Sequence, residues 1–249
     1  MLRISGKAVA ERFRFPCTGL IVINGYTNMN TGIHLKMSEV LHKTRLYVLI
    51  SSSIATKSVK ETARLVIDGG ADAIQLREKT ISDSEFISLA REVRDITTRS
   101  GTLLIINDRV HVAREINADG VHLGQQDMNV LEARDIIGDE KIIGVSTHSI
   151  IQARQAQKDG ADYIAIGPIY PTRTKEYEPS IGIEIIQEIS SVVSIPFIAI
   201  GAITLENLDE VLQAGASRVA VCSAIIGSKD IYSSTKQYKD KLNGVQAHG

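Results

Sequence analysis

The chain contains no tryptophan, and its aromatic residues are limited to seven tyrosines and four phenylalanines. So sparse a set leaves little for base stacking, and the formal net charge of −1 gives no overall field for nucleic acid or an anionic membrane. Any attraction for an anionic ligand must come from a local cluster. Cysteine is nearly absent too: Cys17 and Cys222 stand far apart, with no disulfide framework and no metal-ligand spacing. That usage suits a reducing cytoplasm. No apolar run approaches the roughly 18 residues that a membrane span needs. Near the N-terminus, Arg12 and Arg14 abut only a short apolar patch, and no A-x-A-like site follows, which argues against a secretory signal. Met37 offers an alternative start, which would leave the residues before it as an upstream extension.

What the chain does contain is a repeated phrase. "GGADAIQLRE" (69–78), "INADGVHLGQ" (116–125), "KDGADYIAIG" (158–167) and "QAGASRVAVC" (213–222) share one grammar: a helix end, then Ala or Asp, then an apolar strand. Between them lie four more apolar runs, at 45–51, 102–107, 141–146 and 195–201. Amphipathic stretches at 57–68, 83–99, 108–117, 129–137, 149–159, 181–191 and 204–213, and a polar one from about 224, read as helices. Near-continuous apolar strands alternating with helices argue for parallel βαβ units, and eight of them point to a (β/α)8 barrel. The length of 249 residues fits one such barrel, for which about 250 is typical. An open doubly wound sheet is the rival, but the G-x-G-x-x-G fingerprint is missing. The expected layout is an N-terminal extension at 1–44, a barrel at 45–235 and a C-terminal tail at 236–249.

In this fold the active site forms at the C-terminal ends of the strands. Polar residues gather there: Gln75, Arg77 and Lys79; Asn107, Asp108 and Arg109; Gln125 and Asp127; Ser146, Thr147 and His148; Thr172, Arg173, Thr174 and Lys175. Gly201-Ala202 and Cys222-Ser223 follow the last two strands. Alternation turns Ile74 and Leu76 toward the helices and Gln75, Arg77 and Lys79 toward the barrel mouth. Glu78 then lies away from the mouth, either bridged to a neighbouring loop or functional. Converging Arg and Lys suit a phosphorylated ligand; the bland alternative is that they pair with Asp108 or Asp127. The two aspartates, on neighbouring strand ends, can hold Mg2+ against phosphate oxygens, although Asp108 also fits a helix cap. The small residues after strands 7 and 8 suit a second phosphate, with Ser223 as donor or cap. His122 reads as a packed histidine, His148 as a helix start and Cys222 as a small lining residue. Tyr170 and Tyr177 either line a pocket or anchor the strand-6 loop.

Taken in order, "QLREK", "NDR", "DGVHLGQQD", "GVSTHS", "DYIAIGPIYPTRTK" and "IPFIAIGAI" closely resemble the thiamine phosphate synthase (thiamine-phosphate pyrophosphorylase) family over about residues 45 to 235. The resemblance implies a transferase joining a hydroxymethylpyrimidine diphosphate to a thiazole phosphate with release of diphosphate. It assigns Gln75, Leu76, Arg77, Glu78, Lys79, Asn107 and Ser146 to the pyrimidine diphosphate, and Lys175 to its leaving group. Asp108 and Asp127 would ligate one Mg2+; Thr172, Arg173, Thr174, Gly201, Cys222 and Ser223 would hold the thiazole phosphate. Arg77, Lys79 and Lys175 would stabilise charge on the departing diphosphate. The partners so implied are small phosphorylated molecules, not nucleic acid or membrane. Two departures stand out: Ala202, where the family commonly has a second glycine, and the wording "KEYEPSIG" from Lys175. A thiazole tautomerase-like barrel or a non-catalytic thiamine-precursor sensor would keep the fold but have no need of the diphosphate residues.

Overall fold

In a computed structural model, residues 40–172 and 179–244 are described. Eight parallel strands close into a barrel in sequence order: β1 (Leu46–Ile50), β2 (Ala73–Leu76), β3 (Leu103–Asn107), β4 (Gly120–Leu123), β5 (Ile142–Thr147), β6 (Tyr163–Ile166), β7 (Phe197–Ile200) and β8 (Val219–Val221). The helices between them are α1 (Val59–Asp68), α2 (Asp83–Ser100), α3 (Val110–Glu115), α4 (Val130–Ile137), α5 (Ile150–Lys158), α6 (Ile185–Val192) and α7 (Leu208–Gln213); α8 (Ser223–Ile226) and α9 (Ile231–Gly244) follow β8. The barrel expected from the repeated phrases is what the chain forms.

Local chemistry starts these helices where polar residues meet apolar periodicity. Ser82 caps α2 by accepting from the Glu85 backbone NH, while Glu85 returns a carboxylate to the Ser82 NH. Asn129 and Ser149 cap α4 and α5 from one side only, accepting from the Glu132 and Gln152 backbone NH groups. Strand alternation then sorts the side chains into two cores. Ile74, Leu76, Leu104, Ile106, Ile143 and Ile164 face the helices, and Tyr47, Ala73, Leu103, Ile105, Ile142, Tyr163, Ile198 and Ala220 fill the barrel interior.

Both expected boundaries shift. A helical turn at residues 40–43 lays Leu41 into the interior cluster, so part of the expected extension belongs to the barrel. Residue 235 falls inside α9, whose buried Ile231, Thr235, Tyr238 and Leu242 recur at helical spacing beneath a polar composition. Helix α9 also ties the barrel together. Lys239 pairs with Asp72, and the Tyr238 hydroxyl donates to the Ile203 carbonyl at 3.1 Å. Helix α3 starts later than its pattern implies because Asp108 takes a left-handed conformation, φ +54°.

Candidate active site

At the C-terminal mouth lies a cavity of about 200 Å3, walled by residues from β1 through β8. Gln75 on β2, Arg77 just past its end, Asn107 on β3, Ser146 on β5, Thr172 after β6, Gly201 after β7, and Cys222 and Ser223 after β8 all line it. Alternation turned Gln75 and Arg77 to this side as expected, but Lys79, expected beside them, is not part of the wall. Among the described residues, the side chains of Arg77 and Asn107 find no hydrogen-bond or ionic partner, although both face this cavity.

Two neighbours in the "QLREK" run do something else. Leu76 is fully buried on the helix side, so its side chain cannot reach a ligand in the cavity. Glu78 is buried, and its two carboxylate oxygens accept from the Ser52 NH and Ser52 hydroxyl, each at 2.6 Å. It is a strut between the β1 and β2 loops, held by hydrogen bonds and not by an ion pair. Substrate contact through these two side chains is not what the geometry offers. The backbone of the same turn is fixed further by Arg109, which donates to the Glu78 and Ile81 carbonyls at 3.0 and 2.9 Å.

Outside the cavity wall, the Lys79 ammonium bonds directly to Asp108 Oδ2. The bland pairing considered for Lys79 is therefore present, while Arg77 remains unpartnered. Asp108 makes no cap for α3, whose N-cap is Arg109. Asp127 is exposed, and its Oδ2 accepts from the Gly124 NH at 2.6 Å. Both aspartates stand at the same rim, on the loops after adjacent strands β3 and β4.

The β7–β8 side is built of small groups at close quarters. Gly201 sits at φ +115°, and a Cβ there would fall 2.4 Å from Pro168 Cα. Ala202 adopts φ +48°, a region that favours glycine, and is held there by the Asn207 amide donating to its carbonyl at 3.0 Å. Ser223 opens α8 with no side-chain cap in place at Cys222. Burial pushes the Cys222 thiol up to about 11, against a smaller downward pull from Arg77, so it stays protonated and is no nucleophile.

Sequence reasoning missed the floor. Gln75 Nε2 donates to Tyr47 Oη at 3.0 Å; Tyr47 and Tyr163 hydroxyls meet at 2.9 Å; Tyr163 Oη meets His122 Nδ1 at 2.9 Å; His122 Nε2 meets Ser146 Oγ at 2.9 Å. Gly144 makes room, since in the strand register it lies between His122 and Tyr163, and a Cβ there would fall 2.0 Å from Tyr163 Cζ. Desolvation raises both tyrosine pKa values well above the ordinary range, so both hydroxyls are neutral. His122 is packed, as expected, yet it also lines the cavity. His148 does more than precede a helix, for its ring faces the cavity and Nδ1 meets the Gly167 carbonyl at 2.6 Å. Tyr170 is a loop anchor, donating to Glu210 at 3.1 Å. Arg173, Thr174, Lys175 and Tyr177 lie outside the described residues.

A family profile described as Thiamine monophosphate synthase matches residues 46–225. The chain belongs to the thiamine monophosphate synthase family. It is 42% identical over 194 residues to the thiamine-phosphate synthase of Clostridium novyi, covering 77% of this chain and 95% of that relative. The thiamine-phosphate synthase of Chloroflexus aurantiacus is 43% identical over 204 residues, or 81% and 94%. Among solved structures, a thiamine phosphate pyrophosphorylase from Pyrococcus furiosus superimposes with a TM-score of 0.76 at 35% identity, covering 82% of this chain and 98% of that one. Membership in the thiamine monophosphate synthase family makes the chain an enzyme of the transferase class that forms thiamine phosphate. Among the described residues, no helix is long and apolar enough to cross a membrane.

Proposed function

We propose that this chain condenses 4-amino-2-methyl-5-(diphosphooxymethyl)pyrimidine with 4-methyl-5-(2-phosphooxyethyl)thiazole, or its carboxylated form, in a Mg2+-dependent reaction in the cytoplasm. The observation that carries the reading is one mouth holding unpartnered Arg77 and Asn107 beside the Asp108–Lys79 pair and Asp127. A diphosphate satisfies the basic groups, and a hard cation satisfies the acidic ones.

The donor set fits Mg2+. Asp108 and Asp127 are hard oxygen ligands at one rim, and among the described residues no group of three His, Cys, Asp or Glu forms a closed protein cage. A cation held by one or two carboxylates, completed by substrate oxygens and water, is the usual arrangement for this ion. When bound, it neutralises charge on the diphosphate. The chain's own residues do the rest. Arg77, Lys79 and Lys175 stabilise the oxygen that takes the electron pair as the methylene C–O bond breaks. Gln75, Asn107 and Ser146 hold the pyrimidine ring, whose amino group helps delocalise the resulting cation. Thr172, Arg173, Thr174, Gly201, Cys222 and Ser223 hold the thiazole phosphate, so that the thiazole nitrogen forms the new C–N bond in line. No base or nucleophile is required, which agrees with a protonated Cys222.

The test is reconstitution: purified protein, both phosphorylated precursors and Mg2+, with diphosphate and thiamine phosphate measured together. Equal amounts of both products are expected. Folded protein that releases neither would overturn the proposal, and turnover of a thiazole alone would favour a tautomerase.

A further inference from the structure

We infer that the buried chain Gln75–Tyr47–Tyr163–His122–Ser146 sets the hydrogen-bond polarity of the cavity, so that the site selects a ring bearing an amino group over one bearing an oxo group. The ligand in this inference rests on the pyrimidine reading above; the geometry does not.

The polarity follows from counting protons. The Gln75 amide nitrogen can only donate, so Tyr47 Oη receives at that contact. Tyr47 is 3% exposed, and the remaining polar contact of its hydroxyl is Tyr163 Oη, so its hydrogen goes there. Tyr163, 1% exposed, has received a hydrogen and passes its own to His122 Nδ1. An imidazole that accepts at Nδ1 and is neutral carries its hydrogen on Nε2, which donates to Ser146 Oγ. Reversing any one link leaves a buried donor without an acceptor, an arrangement that folded proteins avoid, and reversing all of them requires the Gln75 amide to be turned over.

The two ends of the chain therefore show opposite faces to the cavity. Gln75, with Nε2 committed to Tyr47, presents its carbonyl Oε1 as an acceptor. Ser146, whose oxygen receives from His122, has its hydroxyl hydrogen left to donate. Both residues line the cavity wall. An aminopyrimidine offers the complement: an amino donor and a ring-nitrogen acceptor. The oxo analogue inverts both, with a carbonyl acceptor and a ring N–H donor, and would leave like facing like. Tyr47, Tyr163 and His122 are thus positioning residues that act through Gln75 and Ser146. No bond is made or broken in them.

The experiment has two arms. In protein labelled with 15N-histidine, long-range 1H–15N correlation reads the His122 tautomer of the free protein, in wild type and in Tyr163→Phe. Wild type is expected as Nε2–H, and Tyr163→Phe should gain the Nδ1–H form because its donor is gone. Tyr47→Phe serves as the second variant if Tyr163→Phe does not fold. In the other arm, kcat/KM is compared for the amino and 4-oxo pyrimidine diphosphates. The amino preference should fall roughly tenfold or more in either variant, with the KM for thiazole phosphate unchanged. An Nδ1–H tautomer in the wild type would overturn the inference, and so would an equal loss on both pyrimidines. The tautomer is read without substrate, so it stands apart from any failure of the proposed reaction.

Discussion

At the N-terminal end of the barrel, Asp72, Asp119 and Asp162 each bridge two neighbours. Asp72 accepts from the Arg45 and Leu46 backbone NH groups at 2.9 Å and pairs with Lys239. Asp119 accepts from the Leu104 NH and Arg94, and Asp162 from the Ile143 NH and Arg134, at 2.6 to 2.8 Å. At the C-terminal mouth, Asp108 holds only a half-exposed lysine, and Asp127 only the Gly124 NH of its own turn. The same residue type, in the same fold, is saturated at one end and left with spare lone pairs at the other. The lower aspartates stitch each strand to the next and to a helix; the upper ones await a partner from solution. This is the division between stability and catalysis expected of the two barrel faces.

The sharpest way to break that contrast is to remove a mouth carboxylate. Asp127→Ala, or Asp108→Asn, which keeps a residue tolerant of positive φ, should lower kcat by about 10³-fold, as the loss of one charge-stabilising group does elsewhere. The melting temperature should hold, and so should thiazole phosphate affinity, measured by calorimetry. Equal loss of thiazole binding would mean that the metal has been misplaced. Next in size is Cys222, which tests the mouth's charge state. A thiol pushed from 9.0 to about 11 has about a hundredfold less thiolate below pH 9, so alkylation followed by mass spectrometry should be slowed by that factor relative to free cysteine. The sign for stability follows: the raised pKa contributes fully below pH 9, and that contribution is lost as pH climbs from 9 through about 11. A lower aspartate comes third. Asp119→Ala should cost roughly 2 kcal/mol of stability while the folded enzyme keeps its kcat, seen as a lowered denaturant midpoint. Smallest is Ala202→Gly, which relieves the left-handed conformation and should stabilise by about 1 kcal/mol.

Much of this contrast was legible in the sequence. The recurring "AD" before strands 2, 4 and 6 is the lower set of aspartates, and period-two alternation separated Gln75 and Arg77 from Ile74 and Leu76. What alternation could not supply is contact across the barrel. Tyr47 and Tyr163 read as ordinary strand residues until closure brings β1 and β6 face to face, and only the missing side chain of Gly144 lets His122 reach the pair. Alternation turned Glu78 away from the mouth toward a neighbouring loop, but could not name its partner Ser52, 26 residues away. The polar stretch from about 224 read as a helix, but its composition hid how far α9 runs into the expected tail, although Ile231, Thr235, Tyr238 and Leu242 were spaced to reveal it.

The central claim, that the mouth carboxylates and cations together await a metal diphosphate, is tested most directly by titrating diphosphate into the protein by calorimetry with and without millimolar Mg2+. Binding should tighten at least tenfold with Mg2+ in the wild type and lose that increment in Asp127→Ala. Diphosphate that binds equally well without the metal, or an increment that survives in the variant, would contradict the account.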